Sequence, residues 1–489
     1  MILVYVVMEL SLLNRGLPGE KRIFTYQMDE WHQLKAVQAV WSGGSNNVAG
    51  AAHGPMLNFL LSGIYLAVFV LVGFIKPEVI TSAVTGWEMQ RRMFQVLRIN
   101  TLLWGVGAIV VAYFILKKYL RVKRPIWGIL LLVFSPVWLI SSNYFKYDIA
   151  LVFWVSLSLF LMLKYAQQPS RINYVKAGIV TGLAVATKIS ALPLGLLYVA
   201  TYFIFSQNWR RGWRSLHWGL SAGFLSFVFL GIPDVLLNRV DWRSYQEFFE
   251  SNLISYPQQT VNQALSLPWW LYLLLVSLPG NLGYGLSLMF VGVAVSLKKG
   301  KDKYGWWLLL GWLAFMLSLW PLKLAAGGNR SLVLLGFMVL LVGYGMERTK
   351  SRLIKGLMVV LIISQVVSGV MALKPKWQVD PRQMASIWIE TNISKGTKIG
   401  LENVPIYQKI PDILLKDFYE QQYGVVDKGR YEYEIVTAKA ESLPEVVVVT
   451  NRKELVSRLK QEEYREEVGL TTESLGVSQI PEMISVFTK

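Results

Sequence analysis

Long apolar runs, each of about 16 to 22 residues, recur along the first three quarters of the chain. As α-helices, runs of this length match the hydrocarbon core of a bilayer, which is about 30 Å thick. Only 16% of the residues are charged, whereas globular proteins carry about 25%. The 19 Trp and 23 Tyr residues suit the two membrane interfaces. The pattern therefore predicts a polytopic α-helical membrane protein with roughly 10–11 spans.

The cationic residues concentrate in short segments between the apolar runs. The formal net charge is +18, which in a soluble protein would suggest a nucleic-acid partner. In a membrane protein, excess Lys and Arg mark the cytoplasmic loops, so we expect no nucleic acid and a topology set by these loops. The segments that we expect on the cytoplasmic side are 117–124, 164–176, 208–214, 298–303 and 347–355.

Consecutive spans cross the membrane in opposite directions. If the basic loops are cytoplasmic, the other connections are therefore expected on the outer side. The runs 125–142 and 148–164 leave Lys146 and Asp148 at an outer turn. The run 55–76 has the length of a span, but counting it as one breaks the alternation. Either it lies along or re-enters the outer interface, or the N-terminus does not span. We favour the first alternative, under which the first external loop, with its juxtamembrane helices, runs from about residue 15 to residue 98.

The character of the sequence changes after residue 373. Polar residues return, and short helix and strand patterns predict a small α/β domain over 374–489, after a transmembrane domain over 1–373. Because the last apolar run, 354–373, leads outward, we expect this small domain to be extracytoplasmic.

The lack of cysteine excludes disulfides and a thiol nucleophile. The N-terminus lacks the basic and small-residue features of a cleavable signal.

Charged residues at the outer ends of the apolar runs are the main functional signal. A charge inside the bilayer costs about 2.5–3.5 kcal/mol on insertion scales, so each one needs a reason. Cations there can hold an anionic phosphate and stabilise charge on a leaving group, and a carboxylate can take a proton from an attacking hydroxyl. These outer residues are Asp29, Glu30, Arg98, Lys146, Asp148, Lys188 and Arg330.

The same residues also have ordinary structural explanations. An acidic pair often begins a solvated helix, and Asp148 ahead of an apolar run can be an N-cap. Lys188 can snorkel to the interface, and Arg330 can serve topology or packing. Only two histidines, His32 and His53, fall on the outer side, so a His-rich metal site is not expected.

Seven motifs follow one another in a fixed order. They are Asp29-Glu30, HGPML with His53, Pro55 and Leu57, LRINTLLWG with Arg98, SPVWLISSNYFKYDIAL with Pro136, Lys146 and Asp148, GIVTGLAVATKISAL with Lys188, GGNRSLVLL with Arg330, and DPRQMASIWIETNISKGTKIGLE. This order resembles the GT-C fold of polyprenyl-phosphate-sugar-dependent glycosyltransferases, nearest to the protein O-mannosyltransferase and lipid A aminoarabinose transferase group. Gly54 departs from the first Pro of the family's HPPL motif, and Ser331 stands where the family has Tyr.

The resemblance implies an inverting glycosyltransferase that moves a hexosyl or pentosyl group from a polyprenyl-phosphate donor to an acceptor on the outer face of the membrane. The catalytic residues it implies are Asp29, with Glu30 beside it, as base or acceptor-orienting group, and Asp148 in support. The residues expected at the substrate are Arg98, Lys146, Lys188, Arg330 and His53.

The resemblance also implies partners and a location. The acceptor is a protein, a glycolipid or a polysaccharide, and membrane lipids surround the protein. A prokaryotic plasma membrane is the expected location, with the active site extracytoplasmic. Whether a divalent metal ion assists the reaction is left open, because His53 stands where some family members carry a metal-binding carboxylate.

Two other functions fit parts of the sequence. A transporter or flippase of a lipid-linked sugar could use the same cations to bind a phosphate in transit. It would be expected to carry polar residues through the bilayer midplane, whereas the interiors of 99–116, 148–163 and 354–373 are apolar. A membrane anchor for the C-terminal domain would leave the outer charges unexplained. The enzyme is therefore the favoured interpretation.

Overall fold

Helices make up most of the described chain, as the predicted class requires. The computed structural model describes residues 1–22, 25–41, 56–78, 86–206, 213–236, 243, 268–297, 302–322, 328–349, 351–402, 411–416, 431–450, 453–471 and 483–489. In chain order, the first helices are α1 (Ile2–Ser11), α2 (Met28–Trp41), α3 (Leu57–Leu71), α4 (Trp87–Phe114), α5 (Ile126–Val133), α6 (Pro136–Ser142), α7 (Tyr147–Gln167), α8 (Arg171–Thr187), α9 (Pro193–Phe205), α10 (Trp213–Gly231) and α11 (Pro233–Leu236).

The later helices begin at residues that suit helix N-termini. Asp302 and Ser351 cap two of them, each accepting a hydrogen bond from a backbone N–H of the first turn. These helices are α12 (Trp269–Tyr272), α13 (Leu278–Leu282), α14 (Tyr284–Leu297), α15 (Lys303–Leu319), α16 (Leu332–Arg348), α17 (Arg352–Trp377), α18 (Pro381–Asn392) and α19 (Lys453–Gln461).

Five of the described helical stretches are long and apolar enough to cross a membrane, and one bent pair would make a sixth. The chain is thus an integral membrane protein. The total of roughly 10–11 spans also counts shorter and broken runs and stays a prediction. The five stretches are Trp87–Tyr119, Tyr147–Gln167, Lys303–Leu322, Gly328–Arg348 and Arg352–Asn392.

Helix α3 lies within the run 55–76, which breaks the alternating direction of the spans if it is counted as one of them. It has 15 residues, or about 22 Å, which is less than the thickness of the hydrocarbon core. This length suits a helix at the interface. Helix α4 begins at Trp87, so the predicted external loop, which ends near residue 98, includes the first turns of this helix.

The apolar runs 125–142 and 269–297 are both broken, and one side chain, that of Gln365, bonds to the backbone at both breaks. The stretch 269–297 bends by 117° at Gly283, which has φ +100°. Buried Gln365 accepts from Leu286 N at 3.0 Å and donates to Leu282 O at 2.8 Å. It also donates to Phe134 O at 3.4 Å, beside the break between α5 and α6. Backbone groups freed inside a membrane need such partners.

Helices α8 and α10 approach each other at their glycines. A Cβ on Gly178 would lie 2.2 Å from Gly219 O, and one on Gly182 would lie 2.1 Å from Gly223 O. Small residues allow helices to pack this closely in a membrane, where the hydrophobic effect does not drive helix association. The result is a rigid pair whose α8 member ends next to Lys188.

The C-terminal part contains a mixed five-stranded sheet with the order β2-β1-β3-β5-β4. Strands β1 to β3 are parallel, β5 pairs antiparallel with β3, and β4 pairs antiparallel with β5. The sequence predicts strands at TKIGLEN, YEYEIVT and EVVVVTN, which contain β1, β2 and β3, whereas β4 and β5 were not predicted. The strands are β1 (Lys398–Leu401), β2 (Glu432–Ile435), β3 (Val446–Val449), β4 (Arg465–Thr471) and β5 (Met483–Thr488).

One apolar cluster joins this sheet to the membrane-proximal helices. It includes Trp31 and Leu34 of α2, Phe94 of α4, Ile389 of α18 and Ile399 of β1. The small domain therefore packs directly on the first helices of the chain. Helix α17 runs four residues past the predicted domain boundary at 373, to Trp377.

Candidate active site

Helix α7 links two chemically different ends of the molecule. Its 21 residues span about 30 Å. At its C-terminal end, Gln167 donates to Tyr119 O at 3.0 Å, and nearby Arg348 pairs with Asp302 at 2.5 Å. These four residues belong to four of the five basic segments predicted for one side of the membrane. Asp148, in the first turn of α7, lies at the opposite end.

Four of the predicted site residues form a chain of alternating charge at that end, which we call the charge chain. Its members are Asp29, Lys146, Asp148 and Lys188. Lys146 pairs with Asp29 of α2, and its Nζ lies 3.8 Å from Asp148 Oδ2. Lys188 Nζ donates to Asp148 Oδ1 at 2.6 Å. Asp148 is 2% exposed, whereas Asp29 is 42% exposed. Of these two carboxylates, Asp29 is thus the more accessible one.

Local structure explains how these residues meet. Lys146 and Asp148 flank the start of α7, where extended backbone at Lys146 turns into the helix. Lys188 ends α8 in an extended conformation before a short 3-10 turn. Asp29 lies in the first turn of α2. Each residue is therefore at a helix end, where side chains can converge without breaking a helix.

The charge state of Lys146 follows from its neighbours. Burial disfavours its ammonium, but the carboxylates of Asp148 and Asp29 outweigh that effect and raise the pKa of Lys146. The side chain is therefore a fixed cation between two carboxylates.

Asp148 keeps one oxygen available. Its Oδ2 is buried and accepts no hydrogen bond from the described residues. A buried acceptor normally finds a donor, so a ligand hydroxyl is well suited to this position.

Tyr147 and Arg330 also lie at this end of the molecule. Lys188 Nζ lies 4.7 Å from the centre of the Tyr147 ring, and Arg330 is close enough to Tyr147 to act on it electrostatically. Arg330 lies in the 3-10 turn Gly328–Ser331, which Asn329 ties to Ser141 of α6 at 2.9 Å. The sequence did not single out Tyr147, and its place between Lys146 and Asp148 is the signal that could have found it.

Glu30 and Arg98 form a separate, buried pair. Arg98 donates from Nε and Nη2 to the two Glu30 oxygens at 2.8 and 2.7 Å, and from Nη1 to Leu13 O and Arg15 O at 2.9 and 2.7 Å. Glu30 also accepts from Phe145 N at 2.8 Å. The Glu30 side chain is 0% exposed and the Arg98 side chain is 2% exposed, so both are engaged with each other in the interior.

The residues at the charge chain do not suit a divalent ion. The Lys146 ammonium lies where a metal shared by Asp29 and Asp148 would need to be. In the part of the chain that the structure describes, no three His, Asp or Glu side chains gather as metal ligands. His53, predicted at the substrate, lies outside the described residues, as does most of the stretch 234–266.

This architecture is that of known membrane enzymes, which confirms the GT-C fold. Crystal structures of ArnT from Cupriavidus metallidurans, bound to undecaprenyl phosphate and in the apo state, match with TM-scores of 0.55 and 0.51 at 14% identity. These matches cover 99% of this chain and 96% and 97% of those chains. The oligosaccharyltransferase of Archaeoglobus fulgidus in complex with Zn and sulfate matches with a TM-score of 0.50 at 14% identity, over 84% of this chain and 62% of that one.

Sequence similarity is more local. The profile of the dolichyl-phosphate-mannose-protein mannosyltransferase family matches residues 88–233, which contain Arg98, Lys146, Asp148 and Lys188. A sequence comparison with curated proteins found no match. The predicted resemblance to this mannosyltransferase and ArnT group is thereby confirmed.

Proposed function

We propose that the protein is an inverting glycosyltransferase that moves a sugar from a polyprenyl-phosphate donor to an acceptor on the outer face of the membrane. The observation that carries the proposal is the charge chain, in which one accessible carboxylate, Asp29, ends a buried series of paired charges. Such a series can place a base and phosphate-binding cations around one reacting centre. The donor class is supported by the undecaprenyl phosphate bound to the similarly folded ArnT.

The proposed reaction uses the residues as follows. The Asp29 carboxylate takes the proton of the acceptor hydroxyl while that oxygen attacks the anomeric carbon of the sugar. The bond from this carbon to the phosphate oxygen breaks, and its electron pair leaves with the polyprenyl phosphate. Lys188 and Arg330 stabilise the charge that develops there. Asp148 Oδ2 accepts a hydrogen bond from a sugar hydroxyl, and displacement from the opposite face inverts the anomeric configuration.

The proposed outer location of the site follows from the different residues at the two ends of α7. The proposed base lies at the end away from the segments 117–124 and 347–355, where Lys and Arg concentrate. An excess of Lys and Arg marks cytoplasmic loops. The charge chain is therefore proposed to face the extracytoplasmic side.

The test uses purified protein in nanodiscs with a panel of radiolabelled polyprenyl-phosphate sugars and membrane extract as acceptor source. We expect one donor to release polyprenyl phosphate only when acceptor is present, with the label recovered on the acceptor in inverted configuration. The matched control is Asp148→Asn, which keeps the shape of the side chain and should release little. In sealed proteoliposomes, movement of intact donor across the bilayer without bond cleavage would instead identify a transporter.

Metal removal gives a second expected result. Because Lys146 supplies the cation between the carboxylates, excess EDTA should leave turnover unchanged. Lys146→Met should lower turnover across the rate–pH profile, because Asp148 and Asp29 then repel each other and Asp29 loses the cation that holds it in place.

The control for this variant is Lys164→Met, at the opposite end of the same helix, which should keep the wild-type profile. Loss of activity in EDTA that returns with one added metal would contradict the assignment of Lys146 as the fixed cation.

A further inference from the structure

The segment that precedes Asp29 is attached to the C-terminal part of the chain at several of its described residues. Arg15 donates to Gln378 O at 2.8 Å and to Pro375 O at 3.1 Å, and it pairs with Asp380 at 3.3 Å. Lys21 pairs with Glu390 of α18. These bonds join residues that are more than 350 positions apart in sequence.

Tyr26 makes the attachment nearest to Asp29. Its ring lies between two guanidinium groups, with Arg22 Cζ at 3.7 Å and Arg382 Cζ at 3.5 Å from the ring centre. Its hydroxyl donates to Asp412 Oδ2 at 2.9 Å, and Arg22 pairs with the other Asp412 oxygen at 2.9 Å. Tyr26 is 4% exposed. Stacking of a guanidinium on an aromatic ring is favourable, and more so where the groups are desolvated.

The backbone is shaped to present this ring. Tyr26 N donates to Gly16 O at 2.8 Å and closes the loop. Gly16 has φ +61°, and a Cβ there would lie 2.4 Å from the Tyr26 ring. Burial and the Asp412 carboxylate raise the pKa of Tyr26, so its hydroxyl stays a donor.

The start of α2 is consequently fixed from two directions. Glu30 ties it to α4 through Arg98, and Tyr26 ties it to the C-terminal domain. Asp29 lies between these two anchors in the sequence.

We propose that the C-terminal domain sets the position of Asp29, and that Tyr26 is the positioning residue through which it does so. This inference rests on the proposed function, because Asp29 needs an exact position only if it acts as the base. Lys146, Lys188 and Arg330 lie on other elements. Loss of the Tyr26 attachment should therefore affect catalysis and leave donor binding intact.

The experiment compares Tyr26→Ala, Tyr26→Phe and wild type by steady-state kinetics and by amide hydrogen exchange without substrate. Tyr26→Ala should lower kcat by about 10- to 100-fold with the donor KM unchanged, since a misplaced reacting group costs on this order. Tyr26→Phe keeps the ring between the guanidiniums and should recover most of kcat. Exchange in the first turns of α2 should rise in Tyr26→Ala and stay near wild type in Tyr26→Phe.

The matched control is Tyr464→Phe, which removes a hydroxyl bonded to Leu443 O and Pro444 O at 3.0 and 2.9 Å inside the C-terminal domain. It should leave kcat and α2 exchange unchanged. Wild-type exchange in α2 of Tyr26→Ala would overturn the proposal, and so would wild-type kcat. If the wild-type protein transfers no sugar, the proposed function fails, while the exchange data still decide whether the C-terminal domain holds α2.

Discussion

Asp29→Asn should reduce sugar transfer by about 10²- to 10⁴-fold, the usual contribution of a positioned general base. The amide keeps the shape of the side chain and can still accept a hydrogen bond from Lys146, but it cannot take the acceptor proton. Donor binding should persist, because the cations that we assign to the phosphate remain. The measurement is single-turnover release of polyprenyl phosphate, together with the donor Kd.

The control for this variant is Glu88→Gln, which neutralises an exposed carboxylate in the first turn of α4. Turnover at the wild-type level is expected there. If Asp29→Asn kept more than a tenth of wild-type turnover while Asp148→Asn lost it, the base would have to be reassigned to Asp148.

Arg98→Ala should destabilise the protein strongly, by about 3–5 kcal/mol, because it leaves the Glu30 carboxylate buried without its counter-ion. Two backbone carbonyls, Leu13 O and Arg15 O, also lose their donor. The double variant Glu30→Gln/Arg98→Met removes both charges and should be less destabilised than the single variant. The measurement is the unfolding midpoint in detergent of each purified variant.

Arg91→Ala is the matched control on the same helix, since Arg91 has no ion pair within the described ranges. Its midpoint should stay close to that of wild type. An Arg98→Ala protein with a wild-type midpoint that no longer binds the donor would instead support the substrate-binding role that the family resemblance implies for Arg98.

The sequence was most informative about which charges share one end of the molecule. Alternating apolar runs and basic loops fix on which side each connection lies. Asp29, Lys146, Asp148, Lys188 and Arg330 were therefore predicted together, and the structure brings them together. The apolar runs also predicted the membrane class, and short helix and strand patterns predicted the small C-terminal α/β domain.

Sequence reasoning could not separate Asp29 from Glu30. Successive residues on an α-helix point about 100° apart, and the direction that faces protein depends on tertiary packing. Glu30 points to Arg98 in the interior, whereas Asp29 remains partly accessible. The bend at Gly283 was missed for a related reason, because the side chain that bonds to the broken backbone, Gln365, lies on a distant helix.

Helix α7 also limits which donor molecules the protein can use. The proposed base lies at one end of a helix about as long as the bilayer core is thick. A donor headgroup in the opposite leaflet is out of reach by that same length. Under the proposed function, only one leaflet of the lipid-linked sugar pool is thus a substrate reservoir. If a cell assembles its donor on the basic-loop side, another protein must turn the lipid over, and that supply step can limit the rate of transfer.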